Sequence, residues 1–183
     1  MKEMAIAPIS IKYSKHLWKW VFSQDNPEWK KWDAPYFEHH SLPYEDFRET
    51  AENWVNRQDV QGIFVEDELI GTVSYYWECE KTRWLELGIV IFNPAYWNGG
   101  YGTEALRRWS AIVFHMHPQI ERVGFTTWSG NKRMIAVGEK LGFTREARIR
   151  KVRYYQGVYY DSIRYGLTRE EWNTRQTNGK GVC

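Results

Sequence analysis

The chain of 183 residues is 43% hydrophobic and 26% charged, the balance of one globular domain with its own core and of neither a disordered chain nor a fibre. A net charge of +2 is too small to imply a nucleic-acid partner without a concentrated basic patch. Cys79 and Cys183 alone make no disulfide framework, no apolar run approaches the roughly 20 residues that span a bilayer, and Met1-Lys2-Glu3-Met4 lacks a signal peptide's apolar core; the expectation is a cytoplasmic protein with no membrane partner.

Residues 5–13 alternate loosely and predict a first strand, with Pro8 suggesting an edge. Residues 14–23 read as a tryptophan-rich helix, and residues 24–42, which carry Pro27 and Pro35, as a loop or broken helix. From Pro43 the spacing of Tyr44, Phe47, Ala51, Trp54 and Val55 predicts a second helix. Three strands joined by short turns follow, at 62–65, 69–77 and 84–91, an antiparallel meander. After Asn93-Pro94 and a glycine turn, Ala105, Leu106, Trp109, Ile112, Val113 and Met116 form the apolar stripe of a long helix that ends before Pro118. A strand at 122–128, a helix at 132–141 with Gly142 as its C-cap, and strands at about 143–154 and 158–167 complete the chain. The order implies one mixed α+β domain over residues 5–172, a mostly antiparallel sheet of about seven strands flanked by helices, with residues 173–183 a flexible tail.

The segment Trp97-Asn98-Gly99-Gly100-Tyr101-Gly102-Thr103 lies between a strand and an amphipathic helix. Glycines there let a backbone approach a ligand and adopt positive φ, while the first N–H groups of the helix lack partners and carry its positive dipole end. That is a phosphate site. Gly100-x-Gly102-x-x-Ala105 also fits the dinucleotide fingerprint, but that fold opens with this turn and places an acidic residue about 20 positions on to hold the ribose. Here a meander precedes the turn, and the next strand ends in Thr126-Thr127-Trp128-Ser129. The dinucleotide reading loses. His39-His40 and His115-x-His117 have no cysteine or carboxylate cluster at zinc-like spacing, so no metal is expected.

Three successive features resemble the GNAT superfamily of acetyl-CoA-dependent N-acetyltransferases: the strand Leu85-Glu86-Leu87-Gly88-Ile89, the turn Trp97–Gly102 followed by Thr103-Glu104-Ala105, and the stretch Asn131…Glu139-Lys140-Leu141-Gly142-Phe143. The branch most similar includes the ribosomal-protein N-terminal acetyltransferases. The resemblance implies an acyl-CoA N-acyltransferase-like fold. It implies that the backbone of Gly99, Gly100, Tyr101, Gly102 and Thr103, with Trp97 and Asn98, cradles the pyrophosphate of acetyl-CoA. It implies further that the edge at Gly88, Ile89, Val90 and Ile91 pairs with the pantetheine arm, that a backbone N–H near Ile89 serves the oxyanion, and that Asn131 helps hold the arm. Asn131 equally suits a helix N-cap. Glu86 stands where the family often places a base or a water-holding acid.

The reaction needs a neutral amine. A lysine-like amine of pKa near 10.4 is neutral in only about one part in a few thousand at pH 7, whereas an α-amine near 7.7–8.0 is roughly a tenth neutral, so a base matters more for the former. No general acid matches the family pattern: Gly138 and Met134 occupy the slots where Tyr, or Ser or Ala, is usual. A thiol of pKa near 8.5 leaves tolerably as an anion, and direct transfer without an acetyl-enzyme is expected. The reading is an acetyl-CoA:amine N-acetyltransferase acting on a protein N-terminus or a small-molecule amine, through a cleft rimmed by the 24–42 loop, the first helices and the late strands. The alternatives are a small-molecule detoxifying or resistance acetyltransferase and an acetyl-CoA-binding module with little or no catalysis. A homodimer is left open.

Overall fold

The computed structural model describes residues 2–179, with side chains described through residue 175. A seven-stranded sheet of order β1-β2-β3-β4-β5-β7-β6 forms its centre. The strands are β1 (Met4–Ala7), β2 (Val60–Val65), β3 (Glu68–Cys79), β4 (Trp84–Ile91), β5 (Arg122–Trp128), β6 (Thr144–Tyr155) and β7 (Val158–Thr168). The helices are α1 (Ser14–Val21), α2 (Tyr44–Thr50), α3 (Tyr101–Met116), α4 (Lys132–Leu141) and α5 (Arg169–Gly179). The meander is present: β2 pairs β3, and β3 pairs β4, antiparallel. β1 is an edge strand ending one residue before Pro8. Residues 173–179, expected as a flexible tail, lie within α5, whose Trp172 ring packs 6.1 Å from that of Phe114. Cys183 lies outside the described residues. No helix among the described residues is long and apolar enough to cross a membrane.

Side chains alternate across a strand, so each face has its own core. Ile63, Val65, Ile70, Val73, Leu85, Leu87, Val123, Phe125 and Tyr165 meet the α3 residues Ala105, Leu106, Trp109 and Val113 on one face. Phe64, Leu69 and Val90 meet Leu17, Val21 and Phe47 of α1 and α2 on the other, together with Trp29 and Phe92. Trp109, wholly buried, satisfies its indole by donating to the Ser74 carbonyl at 2.8 Å. The α3 stripe is broader than its hydrophobic spacing suggests, since Ser110 and Phe114 are buried as well. Ser110 is satisfied by the Leu106 carbonyl at 2.8 Å.

Gly138 owes its place to packing. α4 lies so close to the sheet that a Cβ there would stand 2.5 Å from Phe125 Cζ and 3.6 Å from the Tyr165 ring. Inside an ordinary helix, Ala in place of Gly stabilises by about 1 kcal/mol; against an aromatic wall, overpacking of about 1–3 kcal/mol wins. Gly138→Ala is therefore expected to lower the denaturant midpoint, and a raised midpoint would show that the helix has room.

Glu104, in the first turn of α3, bonds Arg107 Nη2 at 2.7 Å and Arg108 Nε at 2.6 Å. The hydrogen bond from Arg107 comes first in holding its carboxyl down at about 2, from an ordinary 4.5. A depressed folded pKa stabilises above the unfolded value and stops doing so as pH falls through the folded one. Glu104→Gln should cost about 1 kcal/mol at pH 7, the scale of a partly exposed ion-pair cluster at a helix N-terminus. In a pH series of thermal melts, that deficit should shrink between about pH 4.5 and 2.

Candidate active site

The parallel pair β4–β5 is registered at Leu85↔Val123 and Glu86↔Gly124 and at no later residue. Beyond Glu86 the strands part, so the backbone edge of β4 that faces β5 runs unpaired from Leu87 to Ile91. Unpaired backbone groups inside a protein call for a partner. The wedge widens into a cleft of about 620 Å³. Its walls are β4 residues Leu87–Ile91, β5 residues Phe125–Trp128, the turn before α3, one side of α4, and a loop around Trp29–Tyr36 on the α1–α2 face.

Trp97, in that turn, donates from Nε1 to the Ile91 carbonyl at 2.9 Å, tying the turn to the end of β4. Gly100, at φ 86°, turns the chain left-handed into α3, and no side chain caps the helix. Its first N–H groups are thus free for an anion. Asn131 is the N-cap of α4: its side-chain oxygen accepts from Met134 N at 3.0 Å, and its Nδ2 donates to the Trp32 carbonyl at 2.9 Å. Trp128 Nε1 donates to the same carbonyl at 2.9 Å, which fixes the Trp29–Tyr36 loop over the cleft. The Arg133 guanidinium stacks between the rings of Trp32 and Trp97, 4.2 and 4.4 Å from their centroids.

Gly88, Ile89, Val90, Ile91, Trp97, Asn98, Gly100, Gly102, Thr103 and Asn131, all singled out in the sequence, line this one cleft. Gly99 and Tyr101 stand off its wall; the Tyr101 ring is buried edge-on against Tyr96. Glu86 stands off it too. Its side chain shares a face with Gly88 and Val90, but it is wholly buried at the closed end of the wedge. There Oε1 accepts from Arg122 Nη1 at 2.9 Å and from Trp84 Nε1 at 2.8 Å, while Oε2 is buried without a partner. Arg122 continues to Glu146 at 2.6 Å, and its guanidinium lies flat over Gly124, where any Cβ would collide with it. The carboxylate is thus committed to an arginine, which the sequence could not reveal because Arg122 is 36 positions away.

The sequence also missed Trp32, Asp33, Tyr36, Trp128 and Arg133 as individuals, although the 24–42 loop was expected at the rim. Asp33 lines the cleft at an exposed position, where the desolvation imposed by the nearby walls pushes its carboxyl above the usual range, with Lys30 and His39 opposing. Trp32 Nε1 and Thr126 Oγ1, on the same walls, are buried without partners. Buried polar groups are nearly always paired, so two orphans in one cleft point to a ligand that supplies the missing bonds. Among the described residues no group of three or more His, Cys, Asp or Glu stands together.

Residues 11–144 match the family model of the acetyltransferase (GNAT) domain. The chain belongs to the GNAT family. Among curated relatives, this GNAT chain is 29% identical over 130 residues to the "SPbeta prophage-derived uncharacterized N-acetyltransferase YokL" of Bacillus subtilis, covering 69% of the chain and 72% of the relative. It is 26% identical over 168 residues to the "Putative ribosomal N-acetyltransferase YdaF" of the same organism, covering 91% and 86%. Its fold matches the spermidine N-acetyltransferase from Vibrio cholerae, solved with CoA and spermine, at TM-score 0.72 and 15% identity over 93% of this chain and 98% of that one. The protein is an acetyl-CoA-dependent N-acetyltransferase, and the mixed seven-stranded sheet expected from its sequence is the GNAT sheet.

Within the GNAT domain the Glu86–Arg122 pair is a buried liability if broken. Removing one partner of a buried ion pair costs about 3–5 kcal/mol, because the other charge is stranded. Arg122→Met should lose stability on that scale in urea unfolding, and adding Glu86→Gln should restore part of it. Additive losses in the double variant would show that the two side chains do not depend on each other.

Proposed function

We propose that the chain moves the acetyl group of acetyl-CoA directly to a primary amine, in the cytoplasm and without a metal. The observation that carries this reading is the continuity of one cleft from the uncapped α3 N-terminus, along the unpaired β4 edge, to the Trp29–Tyr36 loop. Free N–H groups near Gly100–Thr103 suit the pyrophosphate, the β4 edge from Gly88 to Ile91 suits the amide-bearing pantetheine, and the thioester then lies in the throat. Lys132, Arg133 and Lys140 on α4 add positive charge to the donor half.

The amine nitrogen attacks the thioester carbonyl, a β4 N–H near Ile89 stabilises the oxyanion, and the C–S bond breaks to release the thiolate. The nitrogen's proton must leave before or during attack. Glu86 remains our proposed acceptor for it, through Oε2 and by way of water, since the side chain stands off the cleft wall and Oε1 is engaged by Arg122 and Trp84. Gly138, packed against Phe125, takes no part in protonating the thiolate.

Thermal unfolding with acetyl-CoA, CoA or NAD at equal concentration tests the donor. At about 100 times its Kd a ligand adds roughly 2.7 kcal/mol, a rise of about 5–10 °C for a chain this size. Acetyl-CoA and CoA should give it and NAD should not; a response to NAD alone sinks the reading. Release of CoA thiol on addition of a lysine-like amine should follow, and Glu86→Gln should slow it by about 10²–10⁴.

A further inference from the structure

Thr126 lines the throat of the cleft, and its Oγ1 is buried without a partner. It lies on β5 two residues beyond Gly124, the position registered with Glu86. Registered neighbours, and residues two apart on one strand, share a face. Thr126 therefore stands on the face of Glu86 and Gly88, across the gap where β4 and β5 part. Arg164, registered beside it on β7, is drawn away over the Trp84 ring, 5.4 Å from its centroid. On the β3 side, Ser74 Oγ fills the space that a Cβ on Gly88 would need. A strand position of this kind suits valine as well as threonine, and a buried hydroxyl left unpaired is a cost that valine avoids. The other orphan on this face is Glu86 Oε2. Their rows are about 7 Å apart along the strand, within the combined reach of a glutamate side chain and one bridging water.

We infer that the Thr126 hydroxyl carries the proton leaving the acceptor nitrogen on its way to Glu86. This rests on the amine-acetylation reading above and names the residue that links its two ends. One rotamer step about χ1 turns a threonine hydroxyl by about 120°, which brings Oγ1 into the throat without moving the strand. There it accepts from the amine N–H and directs the nitrogen lone pair at the thioester carbon. As the N–C bond forms and the C–S bond breaks, the nitrogen's proton passes to Oγ1, and the hydroxyl's own proton passes through water to Glu86 Oε2. Thr126 is neutral before and after, the carboxylate gains one proton, and the thiolate keeps the electron pair of the C–S bond. The contact strengthens only while the nitrogen becomes positive, so it acts on the rate of transfer and not on amine binding.

The test measures steady-state and single-turnover transfer from acetyl-CoA to n-butylamine and to an alanyl tripeptide with a free N-terminus. It compares the wild type with Thr126→Val, Thr126→Ser, Glu86→Gln and the double variant Glu86→Gln/Thr126→Val. A hydrogen bond to a group that is becoming charged predicts that Thr126→Val lowers kcat by roughly 10- to 100-fold. KM for the amine should stay within about twofold, and acetyl-CoA should still raise the melting temperature. Thr126→Val alone should melt no lower than the wild type, since it removes an unpaired hydroxyl, and Thr126→Ser should recover most of the rate. In the Glu86→Gln background the valine should slow transfer by less than about threefold, because the path is already cut. Full activity in Thr126→Val, a loss that serine does not restore, or losses that multiply in the double variant each overturn the inference. A raised KM at constant kcat overturns it in favour of a simple binding contact. A Glu86→Gln variant as fast as the wild type, or an enzyme that acetyl-CoA stabilises but that acetylates neither amine, overturns the reading beneath it instead.

Discussion

Everything functional in this fold depends on two strands that stop pairing. β4 and β5 are joined in parallel at only two registered positions, and the free backbone beyond them is the price of the cleft. The separation is held from both ends. At the closed end the Glu86–Arg122–Glu146 chain of charges runs from β4 across β5 and β7 to β6, over Gly124 and Gly166, and ties this end of the sheet together. At the open end β4 is kept in line by its full antiparallel register with β3, while β5 is kept in line by β7. Each diverging strand has a complete ladder on its far side, so the wedge can remain open without either strand fraying.

The same division orders the electrostatics. The charges at the closed end satisfy one another, and Arg122 is neutralised from both sides. In the cleft the opposite holds: Trp32 Nε1 and Thr126 Oγ1 are buried without partners, and the first turn of α3 is uncapped. Stability and recognition are thus separated along the length of β4, over the few residues from Glu86 to Ile91. Glu86, the acid closest in sequence to the chemistry, sits at the boundary of the two, with Oε1 held by Arg122 and Trp84 and Oε2 left without a partner.

What the sequence made legible follows from the range of the interactions concerned. The seven strands, the α3 stripe and the glycine turn depend on spacings of two to four residues, and each is readable from a short window. The turn was informative because its chemistry is local: Gly100 adopts φ 86° and leaves the helix beneath it uncapped. The acceptor wall was not readable in this way. Trp32 reaches the cleft because its carbonyl accepts from Trp128 and Asn131, 96 and 99 positions on, in a segment with no periodicity. Gly138 shows the converse error: compared with a family pattern it looks like a missing acid, but its neighbours Phe125 and Tyr165, remote in sequence, make it a packing residue.

Arg133 joins the two halves. It stands on α4, two residues after the Asn131 cap, and its guanidinium is flanked by Trp97 from the turn before α3 and by Trp32 from the acceptor loop. Trp97 is bound in turn to the last residue of β4, and Trp32 to the end of β5. A continuous set of contacts therefore runs from one diverging strand, over the top of the wedge, to the other. Cation–π contacts of this kind are worth about 0.5–2 kcal/mol each, weaker than the ladders that flank the cleft but sufficient to keep two otherwise irregular loops in mutual register. The donor and acceptor walls consequently cannot be described as independent sites: a shift of the Trp97 turn moves one face of the Arg133 stack, and the loop carrying Asp33 forms the other.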